Sequence, residues 1–158
     1  MTSGLDRTPP APGPEHRLLD VVVGTWNTKG TILTDPAEPS APTARLTAVD
    51  RYEWLPGGFF LIHHVDGRMG EDEVHAIEII GYDASRQAYR TRSFDNHGNT
   101  GTYEATLRGA IWAIRGQRER FTGELGDGGR SLTGQWERRS ADGSRWVPWM
   151  DIRLTKAT

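Results

Sequence analysis

Six tryptophans, Trp26, Trp54, Trp112, Trp136, Trp146 and Trp149, fall in short stretches broken by Gly, Asp and Asn across a chain of 158 residues. Indoles spaced this way share no helical face, so their large apolar area has to be buried by sheet. From Trp26 onward the side chains alternate with the period of two that sends successive residues to opposite faces of a strand. The alternation, with its β-branched and aromatic residues, predicts strands near 25–34, 44–55, 58–66, 73–82, 87–94, 99–107, 110–116, 118–125, 131–139 and 145–155. Between them stand Pro56-Gly57-Gly58, Asp83-Ala84-Ser85, Asn96-His97-Gly98, Arg108-Gly109, Gly126-Asp127-Gly128-Gly129 and Ala141-Asp142-Gly143, residues that preset a turn or tolerate positive φ. Connections this tight pair consecutive strands as an antiparallel meander, and closing the meander on itself removes its adhesive edges. The fold class is all-β, a single antiparallel up-and-down β-barrel of about ten strands.

Ahead of the barrel, Glu15 to Val23 predicts one short helix, with Pro14 near N1, Leu18, Leu19 and Val22 on one face, and Gly24 as its end. Residues 1–14, with Pro9, Pro10, Pro12 and Pro14, read as a flexible leader that lacks the apolar core of a signal peptide. Residues 15–158 read as one domain, since the length suits a single core. Asp35 to Pro42 holds three prolines and is the one long, stiff connection, suited to crossing an open barrel end.

Composition excludes several classes of function. The chain has no cysteine, which removes disulfides, thiolate ligands and a Cys nucleophile and favours a reducing compartment, so the expected location is cytoplasmic. No segment approaches the roughly 20 apolar residues of a membrane span. With Lys+Arg 19 against Asp+Glu 21, there is no excess positive charge for a phosphate backbone, and nucleic acid is not an expected partner.

Gly24-Thr25-Trp26, at the entrance to the first strand after a short helix, resembles the Gly-x-Trp opening of the calycin barrels: lipocalins, fatty-acid-binding proteins and nitrobindins. Calycins also place an Arg on the last strand that stacks across this Trp, and Arg153 stands in that strand. Tyr52-Glu53-Trp54-Leu55-Pro56-Gly57-Gly58, Ile80-Gly81-Tyr82-Asp83, Ser93-Phe94-Asp95-Asn96 and Trp146-Val147-Pro148-Trp149-Met150 resemble a bacterial family labelled DUF1579, similar to nitrobindin-like barrels. The resemblance implies a calycin-like barrel with an interior cavity; it carries no reaction. Nitrobindins hold haem through a His on a late strand. Trp146 to Leu154 contains none, which speaks against a haem site of that kind; no other cofactor is expected.

Strand alternation narrows the residues able to carry chemistry. Phe59, Leu61, His63 and Val65 share one face, and Phe60, Ile62, His64 and Asp66 the other, so one of the two histidines points inward. On the next strand His75, Ile77 and Ile79 oppose Val74, Ala76, Glu78 and Ile80. A hairpin would bring His63 or His64 near His75 or Glu78, as an acid–base pair or a ligand contact. No recognised metal spacing is present, and no metal site is expected. Arg92 and Tyr103, on adjacent strands, suit a polar or anionic head group. Asp95-Asn96-His97-Gly98-Asn99 lacks the acidic density of a calcium loop and reads as a turn at the barrel mouth.

The leading expectation is a barrel that binds a small, mainly apolar molecule, with Trp54 and Trp149 lining the cavity and polar selectivity drawn from His64, His75, Glu78, Arg92, Tyr103 and Asp151. The alternative is an enzyme on the same barrel, isomerising, cyclising or hydrolysing a small metabolite with a His/Glu or Arg/Tyr pair. A third reading is a filled barrel that acts through its surface, with a homodimer as a possible assembly.

Overall fold

The computed structural model describes residues 10–34 and 43–157. Ten strands run β1 Gly24–Ile32, β2 Arg45–Trp54, β3 Phe60–Met69, β4 Asp72–Asp83, β5 Ala88–Asp95, β6 Thr100–Arg108, β7 Ile111–Arg115, β8 Glu119–Gly126, β9 Ser131–Arg139 and β10 Trp146–Lys156. Each pairs antiparallel with the next, and β1 pairs with β10, so the barrel is closed and its strands have no free edge. The predicted Asp35–Pro42 crossing and leader residues 1–9 lie outside the described residues.

The glycines expected at turns adopt the left-handed backbone: Gly57 and Gly58 have φ of 112° and 78°, and Gly98, Gly109 and Gly143 have φ of 82°, 60° and 75°. Asp83 Oδ1 accepts hydrogen bonds from the Ser85 amide and hydroxyl. Asp95 Oδ1 accepts from the amides of His97 and Asn99. These local bonds fix the β4–β5 and β5–β6 turns.

The N-terminal helix differs from expectation. It is α-helical only over α1, Pro14–Leu18, and then tightens into a 3₁₀ turn, Leu19–Val22. In that winding residues i and i+3 eclipse, so Leu19 and Val22 point together into the barrel and are buried, while Leu18, expected on the same face, is 54 % exposed. This segment closes one end. Trp26 lies beneath it, with Nε1 donating to the Val22 carbonyl at 2.8 Å. Tyr89 Oη donates to the Glu15 carbonyl at 2.6 Å, and Trp54 Nε1 to Asp20 Oδ1 at 2.7 Å. Lys156 caps the Trp26 ring, its Nζ 5.1 Å from the centroid and donating to the Val21 carbonyl at 3.1 Å.

The calycin-type pairing expected of Arg153 is therefore made by Lys156. Lys156 is the register partner of Trp26 and shares its face, whereas Arg153 has the opposite phase, faces solvent and lies 3.8 Å from Asp127. Leu61, Ile80, Ala105, Trp112, Leu132 and Leu154 join Trp26 and Tyr52 in the packed core that forms the floor of the barrel. No described helix is long and apolar enough to cross a membrane.

Candidate functional site

Between the packed floor and the opposite end, the barrel encloses a cavity of about 1140 Å³. Its apolar wall includes Leu46, Val65, Met69, Phe121, Trp136 and Met150. A polar belt crosses this wall. The floor sets its phase: Trp26, Tyr52, Leu61 and Ile80 are buried inward, so on each strand the residues two positions toward the mouth, Thr28, Asp50, His63 and Glu78, also face inward.

His63 is the centre of the belt. Nε2 lies 2.6 Å from Asp50 Oδ1, and Nδ1 lies 3.0 Å from Glu78 Oε1. Thr28 Oγ1 donates to the other oxygen of Asp50, and the Tyr52 ring stacks on the imidazole with centroids 3.9 Å apart and planes 8° from parallel. Burial alone would push the imidazole pKa down. The hydrogen bonds to Asp50 and Glu78, with the attraction of both carboxylates, more than offset it and raise His63 from 6.5 to about 9. His63 is thus an imidazolium at neutral pH, with both N–H groups donated. Burial, followed by the fields of Asp50 and Glu78, holds the Tyr52 phenol well above its ordinary range.

The belt continues across β5 and β6. Ser93 stands opposite Glu78 and lines the cavity. Tyr103 Oη donates to Glu119 Oε1 at 2.5 Å. Burial and then this bond to Glu119 raise the phenol pKa. The Tyr103 ring is admitted by two glycines: a Cβ at Gly101 would lie 2.5 Å from it and one at Gly116 2.6 Å.

The residues named from sequence divide between two faces. Glu78, Tyr103 and Trp149 line the cavity. His64 does not: it points outward and lies 3.1 Å from Glu53, because Leu61 in the floor puts His63 in the inward phase. His75 also faces solvent, 2.8 Å from Asp66 and 3.6 Å from Glu73, since Ile80 gives the inward phase of β4 to Glu78. Arg92 is exposed and pairs in register with Thr102, whereas Tyr103 is opposite Thr91. The expected Arg/Tyr pair therefore falls on opposite faces of the sheet.

Trp54 seats the N-terminal segment through Asp20 and lies below the cavity. A bulge between Pro148 and Met150 leaves Trp149 as the extra residue, so that Trp149 and Met150 both line the cavity. Asp151 is outside, on the face of Arg153 and opposite to Ile152 and Leu154, accepting from Gln135 Nε2 at 2.8 Å.

Asp50, Thr28 and Glu119 were missed. Trp54 in β2 shares its phase with Tyr52 and Asp50, and Trp26 in β1 shares its phase with Thr28, so the two tryptophans are the sequence signal for these residues. The belt does not fit haem ligation through histidine, because His63, the one histidine lining the cavity among the described residues, commits both nitrogens to carboxylates.

A family model described as a protein of unknown function, DUF1579, matches residues 11–140, a span from before α1 through β9. The chain belongs to that family. The search of curated proteins returns no match.

Proposed function

We propose that the barrel binds a small, mainly apolar molecule in its interior, with the Asp50–His63–Glu78 and Tyr103–Glu119 groups selecting its polar part. The observation that carries this reading is the cavity of about 1140 Å³, slightly above the roughly 300–1,000 Å³ of most small-molecule sites, walled largely by apolar and aromatic side chains with convergent polar groups. A barrel acting only through its surface would have filled this space. Binding is favoured over catalysis by the state of the belt. A general base needs a free lone pair within reach of substrate, and His63 holds a proton on each nitrogen between two carboxylates.

The test is titration with the neutral fluorophore N-phenyl-1-naphthylamine. Saturable, blue-shifted emission at one probe per chain is expected, with micromolar affinity on the order of −8 kcal/mol. Ala76→Trp places an indole into the cavity from β4 and is expected to weaken the probe by about 10-fold or more while the thermal transition stays cooperative. Absence of saturable binding, or affinity indifferent to Ala76→Trp, would sink the reading.

A further inference from the structure

The outer face of β3, β4 and β5 carries an apolar surface that, apart from Phe94 at the cavity rim, the interior site does not use. Phe60, Ile77, Ile79 and Phe94 are between 41 and 47 % exposed, and half-buried Ile62 lies among them. They are contiguous: Ile62 stands opposite Ile79, and Ile77 opposite Phe94. A continuous patch of large apolar side chains marks a contact surface rather than the scattered exposure of an ordinary monomer. In a closed barrel the strands have no free edge, so the partner must meet this surface face to face.

The charges around the patch specify the partner. The row of register neighbours across the sheet reads Glu53, Ile62, Ile79, Arg92, acidic at one end and basic at the other. A two-fold axis lying in the interface plane, parallel to the strands and passing between Ile62 and Ile79, lays a second copy of this row over the first in reverse order. It places Glu53 against Arg92 of the second copy and Ile62 against Ile79, the self-complementarity an isologous interface requires. Arg92 is available for the role. The arginine ion pairs within the described residues involve Arg51, Arg68, Arg86, Arg90, Arg120 and Arg153, but not Arg92. Glu53 touches His64 at 3.1 Å and Arg51 at 4.0 Å, both at the sheet surface, and its side chain remains about half exposed.

We propose that two copies of this chain associate through the outer faces of β3–β5, with Ile62, Ile77, Ile79 and Phe94 at the centre and reciprocal Glu53–Arg92 pairs at the ends of the central row. Ile62, Ile77 and Ile79 do not line the cavity, and Phe94 alone of the group also borders its rim, so the contact does not depend on the interior ligand. In the adjacent row, Arg51, His64, Ile77 and Phe94, the last two extend the apolar centre and the first two stand at its polar margin. The interface gives His64 and Arg92 a place at a contact surface in place of the interior expected of them.

Sedimentation equilibrium of the full chain, from about 1 to 200 µM at moderate salt, tests the proposal; standard-size interfaces between proteins fall within reach of this range. A dimer is expected, and Ile79→Glu is expected to weaken it by about 100-fold, since it puts an unpaired charge at the centre. Glu53→Arg and Arg92→Glu are each expected to weaken it by about 10-fold, and the double reversal to recover to within about 3-fold of the wild type. The surface charge variants keep the test decisive should Ile79→Glu fail to fold. A wild type that stays monomeric throughout overturns the proposal. So does a dimer indifferent to Ile79→Glu, or a double reversal no better than the single ones.

Discussion

Replacing His63 with Gln removes the cation held between Asp50 and Glu78 and converts a pH-dependent contribution to stability into a flat one. The sign follows from the direction of the shift. His63 has a folded-state pKa of about 9 against 6.5, so the folded protein binds this proton more tightly than the unfolded chain does. The stabilisation is fully present below pH ~6.5 and is lost as pH rises through about 9. Each pKa unit is worth about 1.4 kcal/mol, which makes the whole contribution about 3 kcal/mol and the slope near 1.4 kcal/mol per pH unit between roughly pH 7 and 8.5. Urea unfolding followed by tryptophan fluorescence at half-unit steps from about pH 6 to 9.5 measures it; above that range the tyrosines of the unfolded chain begin to titrate. In His63→Gln the slope in this window should fall close to zero. The variant should also be less stable than wild type at pH ~6.5 by about 3–5 kcal/mol, because two carboxylates then face each other without a cation. Exposed His75 is also raised, by its bond to Asp66, so His75→Asn serves as the control and should keep most of the wild-type slope. A wild-type profile flat from pH 6.5 to 9, or a slope retained in His63→Gln, would refute the assignment of His63 as the buried imidazolium.

Two further outcomes test how the barrel is packed and closed. Gly134→Ala puts a Cβ 2.4 Å from the Thr122 carbonyl oxygen and 2.5 Å from the Phe121 ring, and overpacking of this kind costs about 1–3 kcal/mol; the thermal midpoint should drop by about 2–4 °C for each kcal/mol, and an unchanged midpoint would show that β8 and β9 are not in this contact. Lys156→Met loses the Val21 carbonyl bond and the contact over Trp26, which together are worth about 1–2 kcal/mol, whereas Arg153→Gln should stay within about 0.5 kcal/mol of wild type as an exposed substitution. Equal losses in urea unfolding would restore Arg153 to the closure of the floor.

The barrel was legible because its signals are local. Each hairpin is written in a Gly, Asp or Asn turn, and each strand in a period-two run, so all ten strands fell within three residues of their observed ends. The helix was less legible, since whether Leu19 to Val22 winds as α or 3₁₀ is decided by the barrel end into which Leu19 and Val22 must fit. The candidate site depended on something more distant, the phase of each strand. A strand read alone presents two equivalent faces, and a shift of one residue exchanges them.

The phase is set where the strand meets the floor. Leu61 rather than Phe60 enters the core, and that choice turns His63 inward and His64 outward; Ile80 does the same for Glu78 against His75. Polar side chains do not announce their face, because His63 and His64 are chemically identical and either could be solvated. The apolar residue deepest in each strand is the informative one, and the even-numbered run from Leu46 to Trp54 shows how far it reaches. Trp54 was already marked as an inward aromatic, and its phase carries Tyr52 and Asp50 into the interior with it. What period counting could not supply was the bulge at Trp149. There one extra residue lets Trp149 and Met150 both face the cavity, so that Trp149 no longer shares the outward face of Asp151, and Pro148, which has no amide hydrogen to give to a ladder, is its one local mark. Interior chemistry in a barrel of this kind is therefore best sought by counting in twos from the floor toward the mouth and restarting the count at each proline within a strand.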